Sequence, residues 1–383
     1  MSGLIDPATA SADVDLGAFR ANLGTLAGHA PGAAVMVVVK ADGYGHGMLP
    51  CARAARQAGA AWLGVATPAE ALLLREDGDT GPVLAWLYGP EEDLSALVAA
   101  GVDVSAQSVE QVGAVVAGAA VAERRARVHL KVDTGLSRNG ATLRDWPAVC
   151  AAAAEAEAAG ALEVVGVWSH LAAADEPGHP SIPIQRAAFE AALRQARAAG
   201  LRPVLRHLAN SAATLLLPET HYELVRVGIA AYGIDPAPGV AAQAGVSLRP
   251  VMRLRAQLVN VKELAAGSGV SYGWTWTAAA ATTVGLVPLG YADGIPWQAG
   301  NRAEVGHRGH RRPVRGRICM DQFVVELGAG GGLVGEEVVV FGPGDDGEPS
   351  AQEWAAHAGT IGYEIVTRIG ARVPRRYRGR TGD

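Results

Sequence analysis

Between residues 34 and 228 the chain repeats one two-part pattern: a short β-branched run, then a longer stretch with helical spacing. The candidate strands are residues 35–40, 62–66, 83–87, 102–105, 128–132, 164–168, 204–207 and 223–227. Between them lie helix-like segments such as 68–75, 108–122, 146–159 and 185–199. Parallel neighbours need a crossover of about a dozen residues or more, so strands that alternate with helices imply a parallel sheet. Eight such units in one stretch imply a closed (β/α)8 barrel, the last two units being the least regular.

After about residue 240 the texture changes. The runs 252–261, 282–289, 317–327 and 336–341 have no long helices between them, and glycines and prolines punctuate them. That predicts an α/β chain with two parts: residues 1–240 as an N-terminal TIM-type barrel, and residues 241–383 as a mainly β C-terminal domain. The first few residues are free to pair with the second part. One helix is expected there, over residues 350–358, with Ser350 as N-cap and Glu353 completing a capping box.

Composition excludes several classes. A formal net charge of -5 argues against a nucleic-acid partner. Three cysteines, Cys51, Cys150 and Cys319, do not make a disulfide framework and fit a reducing cytosol. Residues 1–12 lack the basic start and apolar core of a signal peptide, and the apolar run 113–122 is too short to span a membrane. A cytoplasmic protein is expected. His307 and His310 stand at metal-ligand spacing, but the basic stretch 307–317 reads as a solvated loop and no metal site is expected. The basic tail 372–380 reads as a solvated terminus.

In a barrel of this kind chemistry sits at the C-terminal ends of the strands. Lys40 ends the first strand; Lys131, Asp133 and Arg138 follow the fifth; His170 follows the sixth. His207, Asn210 and Ser211 close the seventh, and Arg226, Gly228 and Ile229 the eighth. Singly, a lysine at a strand end is usually solvated and a lone histidine usually a satisfied core group. Together on one rim they point to a site. The loops after strands seven and eight commonly bind phosphate, and here a serine hydroxyl and a glycine backbone suit a phosphorylated cofactor.

The segment VVVKADGYGHG (37–47) resembles the cofactor-lysine motif of alanine racemases. LKVDTGLSRNG (130–140), VWSHLAAADEP (167–177), HLANSAA (207–213) and VRVGIAAYG (225–233) resemble that family too, as do SYGWTW (271–276), PLGYADG (288–294), RICMDQ (317–322) and IGYE (361–364). The resemblance implies pyridoxal 5'-phosphate as cofactor, with Lys40 as Schiff-base lysine and one catalytic base. It implies Tyr272 as the opposing base, reaching the site from the other subunit of a head-to-tail homodimer. Tyr44, Ser211, Gly228, Ile229 and Tyr363 correspond to the phosphate shell, with Asn210 beside them, and Arg226 to the partner of the pyridine nitrogen. His170 corresponds to the neighbour of Tyr272, and His207 packs against the ring. Arg138 and the Met320 N–H correspond to contacts of the substrate carboxylate, Tyr291 to the substrate entrance, Asp321 to an acidic residue nearby. Lys131 matches a lysine often carbamylated in the family. The family's D-alanine feeds bacterial cell-wall synthesis.

The chemistry asks for such groups. Racemisation removes the Cα proton from one face and returns one to the other, so two bases on opposite faces divide the work. A tyrosine needs nearby positive charge to act as a base, which a chain from Tyr272 through His170 to Arg226 supplies. An arginine only donates, so Arg226 disfavours a protonated ring and favours prompt reprotonation of Cα over transamination. Leu136, Asn139, Trp274 and Trp276 depart from the family pattern, tyrosine being expected at 276, which leaves open a racemase of another small amino acid such as serine. Two other readings stay open: a basic-amino-acid decarboxylase of the same architecture, which would need an acidic residue where Arg226 stands, and a non-catalytic carrier of the cofactor.

Overall fold

The computed structural model describes residues 5–379. Eight strands form a parallel sheet that rolls up: Ala34–Val38, Trp62–Val65, Val83–Ala85, Asp103–Ala106, Ala126–Lys131, Leu162–Trp168, Leu205–His207 and Leu224–Val227. The eighth strand lies beside the first, in register from Ala34↔Leu224 to Val37↔Val227. Between seventh and eighth there is no ladder; the Arg226 N–H donates to the Ala209 carbonyl at 3.0 Å instead. The sheet is therefore a nearly closed TIM-type barrel.

Alternation along each strand sorts its side chains. Val37, Leu63, Val83, Val104, Val128, Leu130, Val167 and Val225 point outward into the core under the helices. Met36, Trp62, Leu84, Val165 and Leu224 fill the barrel interior as a small apolar layer. The same parity places Asp103, Ser105, His129, Lys131, His207 and Arg226 inside as well, all buried. A shift of register at Val128/His129 lets the sixth strand carry one extra residue and sets Gly166 opposite His129.

Local sequence starts the outer helices. Thr67 and Glu70 form a capping box for Pro68–Glu76, and Ser108 caps Val109–Val121. The helix after the sixth strand runs Ser181–Ala198, four residues earlier than its apolar spacing predicts, because Pro183 falls in the first turn, where its missing N–H costs nothing.

The second part is a nine-stranded, mostly antiparallel sheet with its own core around Leu254, Val287, Phe323, Phe341 and Trp354. Its helix Ala351–Ala358 carries the expected Ser350–Glu353 box. The strand Ala10–Asp15 belongs to this sheet, antiparallel to Met252–Gln257 and parallel to Arg375–Arg378. Several sequence expectations are corrected here. The run 252–261 is two strands, Met252–Gln257 and Asn260–Leu264, broken where Leu258 and Val259 donate to different neighbours, Glu336 and Leu286. Only Phe323–Glu326 of the run 317–327 is strand, because Cys319 and Gln322 close a turn. The basic stretch 307–317 is no solvated loop but largely a β-hairpin, Glu304–His307 with His310–Arg315, turning through Arg308 and Gly309 at φ 50 and 74°. It buries His307 against Glu336 (2.9 Å) and leaves His310 exposed. The basic tail is likewise structured: Arg375 donates to the carbonyl of Gly45 at 3.0 Å and of Val373 at 2.7 Å. Position 380 lies outside the described residues.

Candidate active site

Lys40 leads into a turn in which Ala41, Asp42, Gly43, Tyr44 and Gly45 all take positive φ, between 52 and 80°. A left-handed turn costs about 1–2 kcal/mol for each residue with a Cβ, so the surroundings must impose it. Ala41 N–H donates to Glu70 Oε1 at 2.7 Å and Met48 N–H to Asp42 Oδ1 at 2.8 Å. From the C-terminal domain, Arg375 holds the Gly45 carbonyl (3.0 Å). A Cβ at Gly45 would overlap the Val366 carbonyl, and one at Gly47 the Tyr377 hydroxyl. Both domains thus clamp the segment that aims Lys40.

The mouth of the barrel is crowded with cations. Burial, then the charge of Arg138, lowers the Lys40 pKa and favours the neutral amine. Burial, Arg226 and Arg138 bring Lys131 down to about 7. Among the described residues no carboxylate forms an ion pair with Lys40, Lys131, Arg138 or Arg226. Trp86 and Trp168 wall the site, with Lys40 Nζ 5.9 Å from the Trp86 ring and Lys131 Nζ 4.1 Å from the Trp168 ring. Arg138 is exposed on a loop that Asp133 shapes by accepting from the N–H of Gly135 (2.9 Å) and Ser137 (3.1 Å).

Arg226 is buried and spends its donors on five acceptors. Nη1 reaches His207 Nδ1 (3.2 Å) and the His207 carbonyl (2.8 Å); Nη2 reaches the carbonyls of Ser169 (2.8 Å) and Leu208 (3.1 Å) and His170 Nδ1 (3.2 Å). A guanidinium can only donate, so both imidazoles accept there as neutral rings. Burial, with Arg226 among the surrounding cations, lowers the pKa of His170 well below its usual value; for His207 burial acts with His129 and Arg226. His207 stacks on Trp168, with centroids 5.4 Å apart and planes at 7°.

Opposite lies a cradle of donors. Asn210 caps the helix Ser211–Leu216, accepting from Ala213 N–H at 3.1 Å. Gly228 N–H donates to Ser211 Oγ at 2.9 Å, and a Cβ on Gly228 would meet Tyr44 Oη at 2.5 Å. Ile229 is buried at the start of the next turn. Tyr363 comes over from the C-terminal domain, its ring 6.4 Å from that of Tyr44. Burial raises the pKa of both phenols, so both are O–H donors.

Tyr272, Tyr291, Met320 and Asp321 are not part of this cluster. They form a separate exposed platform on the C-terminal domain, Tyr272 being 71% exposed. Tyr291 and Ala292 N–H donate to the carbonyls of Cys319 (3.1 Å) and Met320 (2.9 Å), and Ser271 Oγ donates to the Arg317 carbonyl at 2.7 Å. Asp321 pairs with Arg372 at 2.8 Å. Among the described residues no hydrogen bond, ion pair or ring contact joins this platform to the barrel mouth.

Sequence reasoning missed Trp86, Trp168, His129 and Asp103 as parts of the site. The signal is strand parity: all four share the inward face with residues already singled out, as Asp103 and His129 do with Lys131 and Arg226.

A parallel barrel with a lysine, a cationic mouth and a donor cradle at its strand ends, joined to a β domain, defines a two-domain barrel enzyme for a small anionic substrate. Two family descriptions match the chain, "Alanine racemase, N-terminal domain" over residues 14–236 and "Alanine racemase, C-terminal domain" over 251–377. The chain is 54% identical to the alanine racemase of Frankia casuarinae over 95% of both chains, and 53% identical to that of Thermobifida fusca over 97% of this chain and 98% of the other. The solved alanine racemase from D-cycloserine-producing Streptomyces lavendulae superposes with a TM-score of 0.96 at 50% identity, covering 98% of each chain. The chain belongs to the alanine racemase family: it is an isomerase that interconverts L- and D-alanine. The carrier and decarboxylase readings are not favoured.

Proposed function

We propose that the chain racemises alanine with pyridoxal phosphate carried on Lys40, and that the second base is Tyr272 of a second copy of the chain. The observation that carries this reading is the division of the expected residues into a buried cationic mouth and an exposed platform that do not touch. The residues fit the cofactor. Ser211, Gly228, Ile229, Tyr44 and Tyr363 would hold its phosphate, Arg226 would face its ring nitrogen as a donor, and Lys40, its amine favoured by burial, would bond to its carbonyl carbon. When bound, the cofactor supplies the electron sink that makes the Cα proton labile.

The chain's own residues do the rest. Lys40 Nζ, whose pKa burial and Arg138 lower, takes or returns a proton on one face. Tyr272 Oη does the same on the other. Arg226 occupies His170 Nδ1, so the His170 proton sits on Nε2, where it is a donor for the Tyr272 oxygen. Arg138 and the Met320 N–H hold the substrate carboxylate, while Tyr291 and Asp321 border the entrance. Lys131, with a pKa brought down to about 7, offers a neutral amine fraction suited to carbamylation, which would give Arg138 the anionic partner it lacks.

Mixing two variants tests the two-copy site. Lys40→Ala and Tyr272→Phe, each nearly inactive alone, are unfolded together and refolded. If Tyr272 acts across the interface, mixed dimers carry one intact site, and about a quarter of the wild-type rate returns. No recovery in a demonstrably mixed dimer would show that both bases come from one chain.

A further inference from the structure

We propose that Asp103 and His129, buried inside the barrel beneath the site, are positioning residues that fix the proton on His207 and so hold Arg226 as a pure donor toward the cofactor ring. The inference rests on the preceding reading of Arg226 as the partner of that ring.

The geometry is a line of hydrogen bonds down the barrel interior. Arg226 Nη1 lies 3.2 Å from His207 Nδ1, His207 Nε2 lies 2.9 Å from His129 Nδ1, and His129 Nε2 lies 3.2 Å from Asp103 Oδ2. Arg127 Nε closes the line on Asp103 Oδ1 at 2.9 Å. Each proton can be assigned from the two ends. Asp103, ion-paired to Arg127, accepts, so His129 carries its proton on Nε2 and accepts at Nδ1. His207 therefore donates from Nε2 and accepts at Nδ1, which is what a guanidinium requires. Moving the His207 proton to Nδ1 would set a donor against a donor and displace or deprotonate Arg226. Burial already lowers the Arg226 pKa to about 9, and Arg226 has no ion pair among the described residues.

The placement is not explained by stability. Asp103, His129 and His207 lie at most 1% exposed, among the apolar side chains of the interior: Asp103 is in register with Leu84, and the His129 ring lies 5.2 Å from that of Trp62. Barrel interiors are ordinarily filled by branched apolar side chains, and replacing buried polar pairs with such residues is often neutral or stabilising. The barrel also makes room for His129: a Cβ on Gly166 would lie 2.5 Å from its Nδ1, and the bulge in the sixth strand puts Gly166 there.

The test compares His129→Leu, which removes the acceptor at Nδ1, with His129→Asn, whose amide oxygen takes that acceptor's place. The first readout is nitrogen NMR of histidine-labelled holoenzyme, in which protonated and unprotonated ring nitrogens have separate shift ranges. The second is pyruvate released per racemisation turnover, pyruvate forming when the amino group stays on the cofactor and water supplies the keto oxygen. The expected result is an unprotonated His207 Nδ1 in the unsubstituted enzyme and in His129→Asn, and a measurable Nδ1-protonated fraction in His129→Leu, where Nε2 has lost its acceptor and Arg226 alone still selects the tautomer. Pyruvate per turnover should rise about tenfold in His129→Leu, the size of one unmade buried hydrogen bond, and stay within about twofold in His129→Asn. A protonated Nδ1 in the unsubstituted enzyme, or equal behaviour of the two variants, overturns the proposal. Were the unsubstituted enzyme to use no pyridoxal phosphate, the preceding reading would fall, while the nitrogen shifts would still decide the tautomer.

Discussion

Gly228→Ala is the smallest change that should damage the phosphate cradle. Its new methyl would stand 2.5 Å from Tyr44 Oη and 3.1 Å from Tyr44 Cζ. Tyr44 cannot swing aside cheaply, because it packs against the rings of Tyr232 (4.9 Å) and Tyr363 (6.4 Å). On the proposed role of Tyr44, the phenol must withdraw from the phosphate, which would lose one hydrogen bond to a charged group, worth about 1.5–3 kcal/mol. That corresponds to roughly a 10- to 150-fold weaker cofactor dissociation constant. Titration of the apoenzyme with pyridoxal phosphate, followed by the absorbance of the bound cofactor, reads the constant directly. Because the damage runs through one side chain, the Gly228→Ala, Tyr44→Phe double variant should lose little more than the worse single. An unchanged constant, or strict additivity in the double variant, would refute the cradle.

Other consequences follow from the same geometry. Lys131 falls from an ordinary 10.5 to about 7 on folding, so between those values the unfolded chain binds more protons. Apoprotein stability should therefore rise with pH through that window, by up to about 1.4 kcal/mol per pH unit from this group, and Lys131→Met should flatten the rise in urea titrations run free of carbon dioxide. Arg375→Met strips donors from the carbonyls of Gly45, Gly370 and Val373. It should cost about 3 kcal/mol or more in the same titrations and raise the pyridoxal phosphate requirement, because the Lys40 turn loses its clamp; a purely local loss with unchanged cofactor binding would count against the clamp. Arg226→Glu should raise pyruvate formation relative to racemisation, and an unchanged ratio would refute the role given to the arginine.

Much of the barrel was legible because its strands are short β-branched runs between helices, and the rim residues Lys40, Lys131, His170, His207 and Arg226 sit where those runs stop. What escaped notice is non-local. The Met252–Gln257 and Asn260–Leu264 strands read as one because the break between them is made by partners about 28 and 78 residues away, Leu286 and Glu336. The tail around Arg375 reads as solvated because its charges are visible in the sequence, whereas the carbonyls that receive them are not. His129 and Asp103 are unremarkable as single letters; their meaning comes from the rolled sheet, which sets three inward positions on different strands in one line. Tyr272 is the converse case. Its motif stands out in the sequence, yet a single chain leaves it on the surface, where the proposed two-copy site would use it.

The most direct test of the account is chiral chromatography of L-alanine incubated with the purified protein and pyridoxal phosphate, beside a Lys40→Ala control. Steady formation of D-alanine that disappears in the control while the barrel stays folded is the expected result. D-alanine formation that survives in Lys40→Ala at the wild-type rate, or none from the unsubstituted protein with cofactor bound, would contradict it.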